Sequence, residues 1–313
     1  MDDSTRDTLI RSAAEPKRRS FLGDLIMRLL KEKPLGTVGA VIVLVLFFTG
    51  IFAEFLAPYG MNEIHLFETM NQPSAKYILG TDTLGRDMFS RIIFGARISM
   101  IVGLAGAALN ILTSTIIGLT SGFIGGKFDM AVQRFVDTWM CFPPLFVILT
   151  VMAILGPGLA QVIFVLGIAH GIRNSRVIRS AVIGIRENIY VEASRAIGCS
   201  RMRILYKHIL PNVMAPIIII FTISMGQIIL DEASISFLGF GIPPPAPSWG
   251  GMLSGLGRAY MLQAPWLALW PGLALAMVIF GINMFGDALR DLLDPRLRGG
   301  VGRYGVKKAR SSK

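Results

Sequence analysis

Long stretches without a charged residue alternate with short charged stretches along the chain. The charge-free stretches are 34–53, 98–126, 138–172, 208–230 and 259–286, and polar and apolar residues do not alternate within them. A helix needs about 20 apolar residues to cross the hydrocarbon core of a bilayer, whereas a barrel strand alternates over about 10. Because backbone polar groups in lipid must be satisfied internally, this pattern predicts transmembrane helices.

The stretch 138–172 is too long for one ordinary span. Gly156, Pro157 and Gly158 lie within it, and such a cluster is typical of a turn. Dividing the stretch at this turn predicts an all-α polytopic membrane protein with six transmembrane helices. The predicted helices are 36–57, 98–122, 129–155, 160–181, 212–237 and 266–288.

The composition agrees with a membrane protein, and the positions of the charges indicate its orientation. Only 16% of the 313 residues are charged, against about 25% in soluble domains. A net charge of +11 raises the question of nucleic acid binding, but 26 of the 31 Lys and Arg residues fall on the side that holds both termini. Because Lys and Arg concentrate in cytoplasmic segments of membrane proteins, we expect cytoplasmic termini and no nucleic acid partner.

The segment between the fourth and fifth predicted spans contains a short helix with defined ends. Asn188 can cap the start of this helix, and Glu192 suits the positive end of its dipole. Gly198 is a natural terminator with positive φ, and Pro211 suits the first turn of the next helix. The small residues Ala193, Ser194 and Ala196 predict a slim surface that a groove on another protein can accept.

This segment resembles the EAA motif of ABC importer permeases. The motif reads Glu-Ala-Ala, three residues, Gly, nine residues, Ile, one residue, Leu-Pro. Ser194 replaces the second Ala, and His208 replaces the Ile, with Ile209 one place later. The positions that match are Glu192, Ala193, Gly198, Leu210 and Pro211.

Three further segments resemble the dipeptide/oligopeptide branch of these permeases. They are 80–91 followed by 95–99, then 232–239 with its proline-rich continuation, and 286–296. The four motifs occur in the expected order, and the resemblance covers roughly 35–300. It implies a type I ABC importer permease in the cell inner (plasma) membrane.

The resemblance implies a set of partners in a lipid bilayer. A second homologous permease subunit completes the pathway, two ABC ATPase subunits hydrolyse ATP, and an extracytoplasmic binding protein delivers a peptide substrate. The chain contains no Gly-x-x-x-x-Gly-Lys-Ser/Thr phosphate loop, so we expect no enzyme activity and no bound cofactor in this chain. Nickel complexes, glutathione and oligosaccharides remain alternative substrates.

The resemblance also divides the chain into regions. Residues 1–34 are a cytoplasmic tail with an amphipathic helix, which lies on the inner leaflet or packs against the protein. Residues 35–97 hold the first transmembrane helix and a long external loop. Residues 98–290 form the core permease domain with the coupling loop 182–211, and 291–313 form a basic cytoplasmic tail.

Three groups of residues are candidates for function. ATPase coupling is implied for Glu192, Ala193, Ser194, Ala196, Ile197, Gly198, Leu210 and Pro211. Asp231 and Glu232 lie near the outer end of the fifth span, where they contact substrate, form a pair inside the bundle or extend to the membrane interface as a cap. Asp82, Arg86 and Asp87 either dock the binding protein or pin the external loop through turn hydrogen bonds.

Two other classes of membrane protein fit the sequence less well. An ATP-independent transporter or channel needs coupling charges and broken helices near the midplane of the membrane, and charges there are limited to the shallow Asp231 and Glu232. A membrane enzyme needs a nucleophile with its base or a metal cluster. The sequence predicts no catalytic residues and no metal site, because its two cysteines and three histidines lack the required spacing.

Overall fold

The computed structural model describes residues 21–293, and within this range the chain is helical apart from loops and one isolated β-bridge between Thr81 and Asp87. A π-helical turn (Leu205–Ile209) and a 3-10 turn (Leu210–Val213) join the helix Arg201–Ile204 to the helix Met214–Phe237. The prediction of an all-α fold is confirmed. The helices of this range are α1 (Phe21–Glu32), α2 (Pro34–Ile51), α3 (Ala53–Leu56), α4 (Met88–Ile124), α5 (Gly126–Cys141), α6 (Pro144–Leu155), α7 (Leu159–Arg186), α8 (Ile189–Ala196), α9 (Arg201–Ile204), α10 (Met214–Phe237), α11 (Trp249–Leu253), α12 (Gly255–Ala259) and α13 (Trp266–Leu293).

Within 21–293, four helical segments are long and apolar enough to cross a membrane. They are α2, α4, the continuous segment Arg201–Phe237 that ends with α10, and α13. The bent pair α5–α6 adds up to a fifth. The predicted span 160–181 lies inside α7, whose 28 residues are sufficient in length, but its polar and charged residues make it less apolar than the other four.

The prediction of one helix over 129–155 is wrong, because the chain turns by 91° between α5 and α6. Phe142 is extended, with φ −89° and ψ 140°, because the proline after it disfavours the helical region. Pro143 lacks the N–H that a continuing helix would use, and Pro144 occupies the first turn of α6. The predicted turn at Gly156 is confirmed, since its φ is +82°.

Helices α4 and α7 pack closely along each other because small residues line their contact. A Cβ at Gly118 would lie 2.5 Å from the carbonyl oxygen of Ser175, and one at Gly171 would lie 2.5 Å from Cβ of Thr113. Such small residues allow helix backbones to approach closely in a membrane. The pairing fixes α7, and α7 leads directly into α8.

The described part of the N-terminal region is a helix, as predicted. Its end is attached to the bundle, because Thr37 Oγ donates to the carbonyl oxygen of Leu29 at 3.0 Å and Lys33 Nζ pairs with Asp291 at 2.5 Å. Apolar side chains such as Leu30 remain exposed on α1. The predicted tail before residue 21, and the basic tail after residue 293, lie outside the described residues.

Candidate functional site

One face of helix α8 packs against the bundle, and the opposite face is exposed. Val191 is fully buried and Ser194 is nearly so, and Val191 belongs to an apolar cluster with Ile204 and Ile209. The exposed residues are Glu192, Ala193, Arg195, Ala196, Ile197 and Gly198. Six of the eight coupling residues predicted from sequence therefore lie on one short helix and its end, and Leu210 and Pro211 lie farther along the chain.

Helix α8 ends in a Schellman motif centred on Gly198. The N–H of Cys199 donates to the carbonyl oxygen of Ser194, and the N–H of Gly198 donates to that of Arg195, both at 3.0 Å. Gly198 has φ +83°, so its predicted positive φ is confirmed. This backbone geometry fixes where the exposed surface of α8 stops.

Two details of the predicted segment differ in the structure. Asn188 occupies the N-cap position, but its side chain makes no capping hydrogen bond. The prediction that Ser194 belongs to the slim exposed surface is wrong, because its hydroxyl donates to the carbonyl oxygen of Tyr190 at 2.7 Å and the side chain faces the bundle. Ser194 thus belongs to the face of α8 that packs against the bundle and not to its exposed face.

The end of the motif packs under α8. Ile209 is fully buried and supplies the apolar contact that His208 does not. The ring of His208 lies 6.5 Å from that of Tyr190 on α8. Leu210 is half-buried against the same cluster, and Pro211 lies in the 3-10 turn that leads into α10, as predicted.

Asp231 and Glu232 are adjacent in sequence but lie in different surroundings. Glu232 is fully buried, Ser236 Oγ donates to its Oε1 at 2.7 Å, and its Oε2 has no hydrogen-bond partner. Asp231 is partly exposed, and its Oδ2 lies 2.7 Å from Nε2 of His170 on α7. Only Asp231 is placed where a diffusing ligand can reach it.

His170 and its neighbour Arg173 were not assigned to a site by sequence reasoning. Both line a cavity of about 140 Å³ between the α5–α6 bend and α7. The partner of His170 is 61 residues away in sequence, so no local pattern indicates the pair. The signal that sequence offered was an ionisable residue within an apolar stretch.

The three residues predicted at the long loop act on the loop itself. Asp82 accepts hydrogen bonds from the backbone N–H of Leu84 and Arg86, both at 2.9 Å, and from Nε of Arg86 at 2.7 Å. Asp87 caps α4 by accepting from the N–H of Ser90 at 2.8 Å. Both carboxylates are buried, so of the three only Arg86 reaches the surface in part.

A second cluster holds the same loop. Glu68 accepts from Nζ of Lys76 at 2.7 Å and from the hydroxyl of the buried Tyr77. The hydrogen bond from Lys76, followed by that from Tyr77, lowers the pKa of the Glu68 carboxyl. Burial, and then the hydrogen bond to Glu68, raises the pKa of the Tyr77 hydroxyl.

Comparison with known families agrees with the motifs. Residues 114–299 match the model of the binding-protein-dependent transport system inner membrane component, and 20–73 match that of the N-terminal transmembrane domain of oligopeptide transport permease C. The first match covers more than half of the chain. The chain belongs to the family of inner-membrane components of binding-protein-dependent transport systems, and it is a multi-pass transport permease.

Relatives in several bacteria are similar along most of their length. The dipeptide transport system permease protein of Alkalihalophilus pseudofirmus is 37% identical over 92% of this chain and 92% of its own. The oligopeptide transport system permease protein of Bacillus subtilis is 36% identical over 90% and 92%. A glutathione transport system permease protein of Escherichia coli is 36% identical over 87% and 90%. The predicted resemblance to dipeptide/oligopeptide permeases is confirmed.

Proposed function

We propose that this chain is the permease subunit of an ATP-driven importer of short peptides, and that α8 is its contact with an ATPase subunit. The observation that carries the proposal is the exposed, rigidly mounted face of α8, which carries the family motif and ends at Gly198. A helix of eight residues that is exposed on one face suits insertion into a groove of a partner.

The substrate class rests on the named relatives. Two of them carry dipeptides or oligopeptides by name, and a third carries glutathione, which is itself a short peptide. A second permease chain shares the pathway. Two ATPases bind at the end of the bundle that carries α8, and a binding protein delivers the peptide at the end that carries the 58–87 loop. The permease fold of the family and the absence of a phosphate loop in the sequence support this division of labour.

The geometry indicates how α8 would transmit force. Its buried residues Val191 and Ser194, together with the ring contact of Tyr190, hold it to the bundle so that a push on α8 moves the bundle as well. The exposed carboxylate of Glu192 offers a charged acceptor to a basic group on the ATPase. A charge-assisted contact of this kind contributes about 1.5–3 kcal/mol when partly buried.

Reversing the charge of Glu192 tests the coupling role. We expect Glu192→Lys to leave the fold and permease pairing intact while ATPase subunits dissociate or hydrolyse ATP without uptake. Gly198→Ala adds strain of about 1 kcal/mol at φ > 0 and should weaken coupling less, since open space surrounds its Cβ position. The measurement is ATPase retention and peptide uptake in reconstituted vesicles.

Glu187 supplies a matched control for the charge reversal. It is exposed and lies just before α8, at the end of α7. Glu187→Lys makes the same change in charge without altering the face of α8, so we expect near-normal uptake. Gly198→Asp adds both strain at φ > 0 and a charge at the end of α8. Normal uptake by both Glu192→Lys and Gly198→Asp would remove α8 from the mechanism.

A further inference from the structure

Three arginines follow one another at helical spacing along α7, and they differ in their partners. Arg179 donates two hydrogen bonds to Asp129 on α5, at 2.6 and 2.5 Å. Arg176 forms an ion pair with Asp137, also on α5. Arg173 is exposed, and within the part of the chain that the structure describes it forms no ion pair. Arg173 is therefore an α7 arginine whose charge is not neutralised by an acidic side chain of the described residues.

The side chain of Arg173 borders an amphipathic cavity. The cavity of about 140 Å³ adjoins a smaller one of about 70 Å³, and the two share Trp139, Val147, Ile148 and Ala169. Aromatic and aliphatic side chains form most of the wall, while His170 and Arg173 supply the polar edge. A small number of polar groups on an apolar wall is the usual composition of a ligand site.

A negative charge lies close to the same edge. Asp231 on α10 reaches His170 at 2.7 Å, and its second oxygen accepts only from the neutral amide of Gln227, at 3.1 Å. His170 and Arg173 are three residues apart on α7, which places their Cβ atoms about 5–6 Å apart. Arg173 therefore borders the apolar cavity directly, and the carboxylate of Asp231 adjoins it through His170.

We propose that Arg173, three residues from His170 on α7, and Asp231, which contacts His170, bind the two termini of a short peptide on its way through the membrane. Arg173 receives the C-terminal carboxylate, Asp231 receives the α-ammonium group, and the wall around Trp139 receives an apolar side chain. This inference rests on the proposed function, because it places a contact site for the peptide that the transporter is proposed to import.

Charge-removing variants test the site in the complete transporter with its binding protein. We expect Arg173→Gln and Asp231→Asn each to lower uptake of a free dipeptide at least tenfold. Lys127→Gln removes a charge from an exposed residue of α5 outside the cavity, and we expect uptake to stay within twofold of wild type. Co-purification of the ATPase subunits confirms that each variant assembles.

Photo-crosslinking locates the ligand directly and needs no substitution. A dipeptide with a diazirine side chain, supplied with the binding protein during ATP turnover, should label 139–148 and 169–173. Labelling confined to other segments, or normal uptake in both charge variants, would overturn the site while the proposed function stands. If Asp231→Asn fails to assemble, uptake by the Arg173→Gln variant and the crosslinking result test the site instead. Absence of peptide uptake by the wild-type transporter would overturn the proposed function as well.

Discussion

At the scale of single residues, neighbours in sequence have opposite roles because a helix turns by about 100° per residue. Asp231 faces His170 and is partly exposed, whereas Glu232 points into the bundle. Glu232 holds Ser236, whose hydroxyl oxygen in turn accepts from the backbone N–H of Ile242 at 3.1 Å. Glu232 therefore stabilises the chain reversal after α10, and its contact with substrate stays a prediction.

Two substitutions at Glu232 distinguish a structural role from contact with substrate. Glu232→Gln keeps an oxygen acceptor for Ser236 and nearly the same volume, so we expect near-normal assembly and uptake. Glu232→Leu leaves the buried hydroxyl of Ser236 without its acceptor, at a cost of about 1–3 kcal/mol. The amount of assembled transporter and its thermal stability measure this cost. An assembled Glu232→Gln transporter that had lost uptake would contradict the structural role.

A structural feature can be predicted from the sequence when the residues that cause it lie close together in the chain. The end of α8 at Gly198 follows from the chemistry of one residue, and it was predicted correctly. Two prolines follow the break at Phe142 and indicate it, whereas the length of the apolar stretch favours one continuous helix. The contact between His170 and Asp231 joins separate helices, and the burial of Glu232 depends on the packing of several, so neither could be inferred without the structure.

At the scale of elements, the 58–87 loop is held by charged hydrogen bonds rather than by a large apolar core. Asp82 organises one end of the loop and Glu68 joins its middle to Tyr77. Residues at the tip remain open, and Phe67 is fully exposed. These hydrogen bonds therefore hold the body of the loop in place, while the tip around Phe67 is exposed to solvent.

The loop should weaken at both extremes of pH. The pKa of Glu68 is lowered from 4.5, so its stabilising effect is present above pH 4.5 and is lost as pH falls through the lowered pKa. The pKa of Lys76 is raised from 10.5 by its hydrogen bond to Glu68, so its effect is present below pH 10.5 and is lost above the raised pKa. Hydrogen exchange of the loop amides across pH, wild type against Glu68→Gln, measures this. Identical profiles for the two proteins would show that Glu68 does not stabilise the loop.

At the scale of the whole molecule, the charged residues define an orientation in the membrane. In the predicted topology, 26 of the 31 Lys and Arg residues fall in segments on the same side as α8, and the 58–87 loop lies at the opposite end of α4 from α5. Because Lys and Arg favour cytoplasmic segments, we expect α8 to face the cytoplasm.

Labelling of single cysteines tests this orientation. In a chain carrying Cys141→Ser and Cys199→Ser, we expect Phe67→Cys to react with an impermeant maleimide only from outside the cell. Arg195→Cys should react only in inside-out vesicles. Both native side chains are exposed, so reactivity reports the side of the membrane rather than burial. Labelling of position 195 from outside alone would reverse the topology.

The uninterrupted length of α7 has a mechanical consequence. Its 28 residues carry Arg173 near the middle and deliver the chain to α8 at one end, with no proline between the two. A helix of this length is about 42 Å long, so a tilt of about 5° about one end displaces the other end by about 4 Å and the middle, where Arg173 lies, by about 2 Å. A small rotation of α7, driven at α8, would therefore be sufficient to widen or close the space beside Trp139 without any helix having to unfold.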